Sequence, residues 1–313
     1  MNTTTQGPPT EAVRAQAARF AALDPLLPPY DGELAGDLIT AVTPAGEPVY
    51  GLRVVNRLSP DNVARLWAAA ETESLTPLIG DTGTAGMGAL LGAWAAVIAQ
   101  APPSADSACV VTWPSHDIAA TRAFLDHGLV PAVVVAVHTS LPAVAPEPPE
   151  GLVVRRAGTT DYQAVIDLAL AELEYSSHVG AAAPANGADL RTDSVLRRLA
   201  DGGPMWLAVR DGEAVGLADC GWADVAPGEG YARQLRPGRW GYVNCLSVLT
   251  EARGRGVGAA LVAAAHAEFA RGGARGSFLF YTPANPLSSV FWPRRGYRPL
   301  WTMWETRPAT TLR

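Results

Sequence analysis

The sequence predicts an α/β (α+β) fold made of two modules, each a sheet flanked by helices. Its 313 residues are enough for about two domains, and a content of 48% hydrophobic and 17% charged residues is typical of a folded globular chain. A glycine-rich turn that leads into an apolar helix occurs once in each half. Between the halves, the segment LPAVAPEPP holds four prolines, which favours a stiff linker over a helix or a central strand.

Composition limits the classes of partner. The net charge of −6 argues against a broad nucleic-acid-binding surface. Cys109, Cys220 and Cys245 are too widely spaced for a disulfide framework, which favours a reducing compartment. The first residues lack the pattern of a signal peptide, and the apolar stretch 87–99 is shorter than a bilayer span. We therefore expect a soluble, cytoplasmic monomer or homodimer that binds neither nucleic acid nor membranes.

The first half begins with an N-terminal arm, residues 1–29, which has a short helical pattern and the proline-rich DPLLPPY. Residues 30–140 are expected to form the first domain. The elements predicted in it are an extended piece at 48–55, a helix capped by Ser59 and running through Trp67, a turn at 80–88, a helix at 89–98, a strand at 109–113, a helix at 118–125 and a strand at 129–139.

The predicted linker, residues 141–150, leads into a second domain, residues 151–313. Asp211-Gly212 is a strong hairpin signal between two apolar runs. The other predicted elements are a strand at 152–155, helices at 160–173 and 190–200, an irregular insertion at 226–238, a strand at 242–248, a turn and helix at 253–269, a strand at 276–281, a short helix at 285–292 and a strand at 300–306.

The stretch 242–269, YVNCLSVLTEARGRGVGAALVAAAHAEF, carries the clearest chemical signal. Its glycine-rich turn points consecutive backbone N–H groups into one space at a helix N-terminus, where the helix dipole adds positive charge. Such a site suits a phosphate or pyrophosphate. The alternative for a bare G-x-G is an ordinary tight turn with solvated arginines.

The two halves also resemble each other. Gly83-x-x-Gly86-x-Gly88 parallels Arg253-x-x-Gly256-x-Gly258, and each half then has a strand ending in Pro, a short helix and a last strand. Gapped similarity of this kind indicates a duplication. The alternative is two unrelated αβ units that share turn chemistry.

Arg253-x-x-Gly256-x-Gly258 after a strand resembles the acetyl-CoA signature, Q/R-x-x-G-x-G/A, of the GNAT (GCN5-related N-acetyltransferase) superfamily. A second family mark is an Asn followed seven residues later by a Tyr and then G-F/Y. Here Asn285 is in place, Trp292 stands at the Tyr position, and Gly296 supplies the ending. The resemblance covers 151–307 and implies a mixed, mostly antiparallel twisted sheet. The first half resembles a degenerate GNAT module, so the arrangement is similar to tandem-GNAT proteins such as mycothiol synthases.

The resemblance implies that the strand end pairs with the pantetheine arm of acetyl-CoA through its backbone. It also implies that the N–H of Val248 polarises the thioester carbonyl. Backbone N–H groups of the turn would hold the pyrophosphate, and two later residues would face the pantetheine. The implied cofactor-binding residues are Leu246, Ser247, Val248, Arg253, Gly254, Arg255, Gly256, Val257, Gly258, Asn285 and Ser288.

The proton-transfer groups are less clear. Trp292 cannot replace the Tyr that protonates the leaving thiolate in many relatives, because an indole N–H is not an acid at useful pH. Tyr281 or Tyr297 could take over, or water or the product amine could. For the base, the candidates are Asp219 and Asn244, which could only orient a water; the alternative for Asp219 is a surface or edge-strand carboxylate without a catalytic role.

The predicted function is an acetyl-CoA-dependent N-acetyltransferase that acts on a small-molecule amine by direct attack on the thioester. Two alternatives stay open: a non-catalytic acyl-CoA-binding sensor or interaction protein, suggested by Trp292, and an acyltransferase with a different acyl donor. No metal is expected, since the histidines show no ligand spacing.

Acceptor recognition is assigned only weakly by the sequence. Glu174 and Tyr175 stand where relatives often place acceptor-binding residues, and Trp222 and Trp240 could line an acceptor pocket. The turn 83–88 of the first half has no basic residue, which favours a structural domain that has lost its ligand; the alternative is weaker CoA binding through backbone amides alone.

Overall fold

The computed structural model describes residues 7–30, 35–180, 184–228 and 230–313, and its strands form a single 11-stranded sheet. The strands are β1 (Asp37–Val42), β2 (Pro48–Arg57), β3 (Glu71–Leu78), β4 (Ser107–Pro114), β5 (Val130–His138), β6 (Leu152–Arg156), β7 (Met205–Arg210), β8 (Glu213–Val225), β9 (Gly238–Val248), β10 (Ser277–Tyr281) and β11 (Arg298–Thr306). The helices are α1 (Thr10–Leu23), α2 (Gly83–Gln100), α3 (Ile118–Asp126), α4 (Tyr162–His178), α5 (Gly187–Ala200), α6 (Val257–Arg271) and α7 (Ser288–Arg294).

The last strands of the two halves are exchanged within this sheet. The strand order is β1-β2-β3-β4-β11-β5-β10-β9-β8-β7-β6. β5, from the first half, pairs with β10 of the second, and β11 pairs with β4 of the first. The two mixed sheets are therefore continuous, and each half completes the other. The division of the chain at 141–150 stays a prediction.

The pairing is mostly antiparallel, with parallel pairs at β3–β4 and β9–β10. In the second half, alternate residues of the sheet face different helices, as the period of two requires. Leu217 on β8 packs in the cluster that includes α4 and α5, whereas its neighbour Ala218 packs against α6. The sheet thus separates an α4/α5 face from an α6 face.

β9 leaves its parallel neighbour before it ends. Its pairing with β10 runs from Gly241 to Val243, while its pairing with β8 continues to Val248. A β-bulge places Asn244 between the paired residues Val243 and Cys245. The edge of β9 that follows the bulge is consequently open on the β10 side.

The sequence analysis did not predict β3, because charged residues occupy some of its inward-facing positions. Glu71 and Glu73 occupy buried positions of the strand, so the apolar alternation fails there. Arg57 donates to Glu71 and Arg53 binds Glu73 through two hydrogen bonds, which compensates the buried charges. The helix predicted after Ser59 is also wrong, since only a short 3₁₀ helix forms at Val63–Leu66.

α2 is longer than its apolar stretch in the sequence suggested, because Gly83 already belongs to it. By length and composition alone this helix could cross a membrane. In the fold its apolar face, which includes Leu90, Trp94 and Ile98, is buried in the core of the first half.

Candidate functional site

A cavity of about 880 Å³ lies where α4, the end of β9, the start of α6 and α7 meet. Most of the predicted cofactor-binding residues line it, with Arg255 as the exception. The lining residues used below are Glu172, Tyr175, Leu246, Ser247, Val248, Arg253, Gly254, Gly256, Val257, Gly258, Asn285, Ser288, Trp292, Arg294 and Arg295.

The turn before α6 depends on two glycines. Gly254 and Gly256 have φ of 73° and 81°, the left-handed region that side chains disfavour. At Gly256 an added Cβ would also lie 2.9 Å from Cγ of Pro149. The turn brings the N-terminus of α6 to the cavity, so its free N–H groups and the helix dipole favour an anion there. Arg253, Arg294 and Arg295 add positive charge to the cavity wall.

α7 forms another wall of the cavity, and the side chain of Asn285 caps its N-terminus. The Oδ1 of Asn285 accepts hydrogen bonds from the backbone N–H groups of Leu287 (2.9 Å) and Ser288 (3.2 Å). Because Gly258 has no Cβ, the ring of Phe291 on α7 packs 3.3 Å from where that atom would be. Trp292 is 7% exposed and lines the cavity at the place where the sequence expected it.

Arg253 and Tyr175 meet across the cavity mouth. The guanidinium of Arg253 lies over the Tyr175 ring, 5.1 Å from its centroid, and its Nε donates to the Val248 carbonyl at 3.0 Å. Tyr175 and Glu174, the residues that the sequence suggested for acceptor binding, both line the cavity. Arg255 is exposed on the same turn and is not part of the cavity lining.

The predicted base Asp219 lies outside the cavity lining and is fully buried. Its Oδ1 accepts from Nε of Arg198 at 2.8 Å, and its Oδ2 accepts from Nδ2 of Asn244 at 2.6 Å. Arg191 stands 3.9 Å from Oδ2. Asp219 and Asn244 are thus joined to each other on the α4/α5 face.

The tyrosines considered as acids lie at different depths. Tyr281, at the end of β10, is half-buried and is not among the cavity-lining residues; burial raises its pKa. Tyr297 is buried behind Trp292, where its hydroxyl is 2.8 Å from both Nε2 of His266 and Oγ of Ser277. Tyr297 is therefore wrong as a candidate acid, because its hydroxyl is engaged within the core.

Glu172 is a cavity residue that the sequence did not single out. It lies on α4, and its Oε1 accepts from Oγ of Ser176 at 2.5 Å. Its Oε2 is 3.8 Å from Sγ of Cys245. Burial raises the pKa of the Cys245 thiol well above its usual range, so the thiol stays protonated, and Glu172 is the member of this pair that lines the cavity. Its position on α4 beside Glu174 was the only available signal.

Neither of the two tryptophans considered for an acceptor pocket lines the cavity. Trp240 is 1% exposed and donates its Nε1–H to the Arg236 carbonyl. Trp222 packs edge-on against Phe269 of α6. Among the described residues, no group of three or more His, Cys, Asp or Glu side chains is placed to hold a metal ion.

The equivalent region of the first half is built differently. α2 begins at Gly83, so the segment that corresponds to the turn before α6 is helical. α1 covers the end of β3, where Oε1 of the buried Gln16 accepts from the N–H groups of Ile79 (2.9 Å) and Gly80 (3.2 Å). Arg19, one turn later on α1, binds Asp117 through three hydrogen bonds. The N-terminal arm therefore occupies backbone donors at this strand end.

Residues 166–297 match the acetyltransferase (GNAT) family. The structure is similar to that of a GCN5-related N-acetyltransferase from Sphaerobacter thermophilus, with 20% identity, a TM-score of 0.54, and coverage of 97% of this chain and 96% of that one. It is also similar to a tandem GNAT protein from the clavulanic acid biosynthesis pathway, at 17% identity, a TM-score of 0.47 and 95% coverage of both chains. None of the curated proteins compared matches the sequence.

Proposed function

Because residues 166–297 form a domain of the acetyltransferase (GNAT) family, we propose that its cavity binds acetyl-CoA and that the protein transfers the acetyl group to an amine of a small molecule. One observation carries the proposal: the open edge of β9 leads directly into the glycine turn and the N-terminus of α6, along one cavity wall. An extended strand edge suits an amide-containing arm, and the helix N-terminus suits a diphosphate.

The residues present fit this ligand. Backbone groups of Leu246, Ser247 and Val248 would hydrogen-bond the pantetheine amides as an added strand does. The N–H groups of the turn and of α6 would hold the diphosphate, together with the guanidinium of Arg253. The Nδ2 of Asn285 is available to the pantetheine, because only its Oδ1 is used to cap α7.

For the chemical step, we assign the task of accepting the amine proton to Glu172. It lines the cavity, whereas Asp219 and Asn244 bind each other outside its lining. The amine attacks the thioester carbonyl, whose developing negative charge the Val248 N–H stabilises, and the thiolate leaves. Tyr281 remains a candidate to protonate the thiolate, since its raised pKa keeps it protonated at neutral pH.

A sensor that binds acyl-CoA without turnover is the second candidate, favoured by Trp292 in place of an acid. Free CoA release, measured with a thiol reagent over a panel of small amines, separates the two. The proposed enzyme releases CoA in an amine-dependent way. Submicromolar acetyl-CoA binding with no release for any amine would instead support the sensor. We place either activity in the cytoplasm.

A further inference from the structure

α7 leads into two arginines that line the large cavity, Arg294 and Arg295. More than half of the chain's arginines form ion pairs with carboxylates, as expected where acidic residues outnumber basic ones. Among the described residues, neither Arg294 nor Arg295 pairs with a carboxylate or donates a side-chain hydrogen bond. Both residues are exposed. The cavity wall therefore carries two positive charges that the protein does not neutralise.

Arg295 is oriented by an aromatic ring. Its guanidinium lies over Phe291, 5.8 Å from the ring centroid, and Phe291 packs against Gly258 in the first turn of α6. This contact uses the face of the guanidinium. The N–H groups point outward in the plane of the guanidinium and stay free to bind an anion. Arg295 is therefore held near the first turn of α6 with its donors unused.

α7 lines the cavity from its first residue to its last. Ser288 belongs to the part of the wall that is assigned to the pantetheine arm. Arg294 ends the helix six residues later, which is about 9 Å along the helix axis. The basic end of α7 is thus separate from the part of the wall that would face the pantetheine.

The ligand proposed for this cavity has one phosphate more than the diphosphate assigned to the turn before α6. CoA also carries a 3′-phosphate on its ribose, and a phosphate monoester has a charge of about −1.5 to −2 at neutral pH. The turn and Arg253 are assigned to the diphosphate. Arg294 and Arg295 are the other arginines of the cavity lining, and guanidinium groups suit phosphate oxygens well.

We propose that Arg294 and Arg295 bind the 3′-phosphate of CoA, so that the protein selects free CoA thioesters as its acyl donors. The inference rests on the proposed acetyl transfer and narrows its donor. A thioester on a protein-bound phosphopantetheine has no adenosine and no 3′-phosphate, and it lacks this contact. The same two arginines distinguish CoA from its 3′-dephospho form.

The test compares two ligands that differ by this one phosphate. Isothermal titration calorimetry of the full chain at low ionic strength gives the Kd of CoA and of 3′-dephospho-CoA. We expect CoA to bind about five- to thirtyfold more tightly, as two exposed ion pairs together provide. The difference should shrink in high salt, because exposed charges are screened. Equal Kd values at low ionic strength would overturn the proposal.

Variants assign the difference to the two arginines. Arg294→Gln and Arg295→Gln should each weaken CoA binding about two- to fivefold, and the double variant should bind CoA no better than 3′-dephospho-CoA. The Kd of 3′-dephospho-CoA should stay unchanged in all three variants. If the variants weaken the binding of both ligands equally, the arginines contact the diphosphate and the proposal is wrong.

Arg197→Gln is the matched control. Arg197 is also exposed, lies in the last turn of a helix, α5, and forms no ion pair among the described residues, but it is outside the cavity lining. Its replacement removes the same charge and the same favourable interaction with a helix C-terminus. The variant should keep the preference for CoA. A preference lost equally in Arg197→Gln would assign the effect to net charge and contradict the site.

The outcomes separate this inference from the proposed function. If neither ligand binds, the acetyl-CoA site is refuted and this inference with it. If both bind with equal Kd while acetyl-CoA releases CoA in an amine-dependent way, the acetyltransferase stands and only the 3′-phosphate site is refuted. A preference for CoA that the double variant loses and Arg197→Gln keeps supports the site.

Discussion

The guanidinium of Arg253 lies over the ring of Tyr175, 5.1 Å from its centroid, and connects the turn before α6 to α4 across the cavity mouth. The same side chain is anchored through Nε to the Val248 carbonyl, at the end of the open strand edge. The end of β9, the glycine turn and α4 are thereby held in one arrangement. An arginine fixed in this way needs little reordering to meet a diphosphate.

Replacement of Tyr175 tests this arrangement. Tyr175→Phe keeps an aromatic face and should change the acetyl-CoA Kd less than about twofold. Tyr175→Ala should weaken binding about two- to fivefold, because an exposed cation–π contact contributes about 0.5–1 kcal/mol. Isothermal titration calorimetry measures both. An equal loss in Tyr175→Phe and Tyr175→Ala would show that the hydroxyl matters and that the stacked ring does not.

Gly256→Val should abolish measurable acetyl-CoA binding. The new side chain faces a φ of 81° and the Cγ of Pro149 at 2.9 Å, so the turn must change shape. Gly273→Ala is the matched control, because Gly273 has a φ of 74° at the other end of α6, in open space. The control should lose about 1 kcal/mol of stability and keep its Kd. Normal acetyl-CoA binding by a folded Gly256→Val variant would refute the proposal that this turn binds the diphosphate.

Glu172→Gln should lower kcat by about 10²- to 10⁴-fold, the usual contribution of a general base, with little change in acetyl-CoA Kd. Asp167→Asn removes a carboxylate from the same helix, outside the lining of the large cavity, and serves as control. If Asp219→Asn alone abolished turnover without unfolding the protein, the base would have to be reassigned.

The sequence predicts those features of the fold and the cavity whose pattern lies in neighbouring residues, and it misses those that depend on contacts between distant segments. The turn at Arg253–Gly258 and the cap at Asn285 are local patterns, and both lie on the cavity. The exchange of the last strands depends on distant contacts, because the residues of β5 and β11 do not indicate whether each strand pairs with its own half or with the other. The sequence analysis missed β3 because Glu71 and Glu73 interrupt its apolar pattern. The arginines that pair with them, Arg57 and Arg53, lie on another strand.

The buried histidine His266 should make the protein less stable in mild acid. Burial, with a smaller contribution from His138, lowers the pKa of His266 from 6.5 to about 4. The unfolded chain therefore takes up a proton before the folded protein does. This contribution to stability is complete above pH 6.5 and declines as the pH falls toward 4, by about 3 kcal/mol in total. Denaturant unfolding at several pH values measures it.

His266→Gln provides the comparison for that experiment. Gln keeps a polar group near the hydroxyls of Tyr297 and Ser277 but cannot titrate. The variant should be less stable at neutral pH and should lose most of the dependence between pH 6.5 and 4. A pH dependence equal to that of the unmodified protein would assign the effect to other groups.

The first half should not bind a second acetyl-CoA, because α1 already uses the donors at the end of β3. Calorimetry should give one site per chain, and Gly256→Val should remove it. Gln16→Met leaves the N–H groups of Ile79 and Gly80 buried without an acceptor and should cost about 1–3 kcal/mol of stability. Gln163→Met, at an exposed position on α4, should cost less than about 0.5 kcal/mol. Two sites per chain, or a Gln16→Met variant as stable as the control, would show that α1 does not hold this strand end closed.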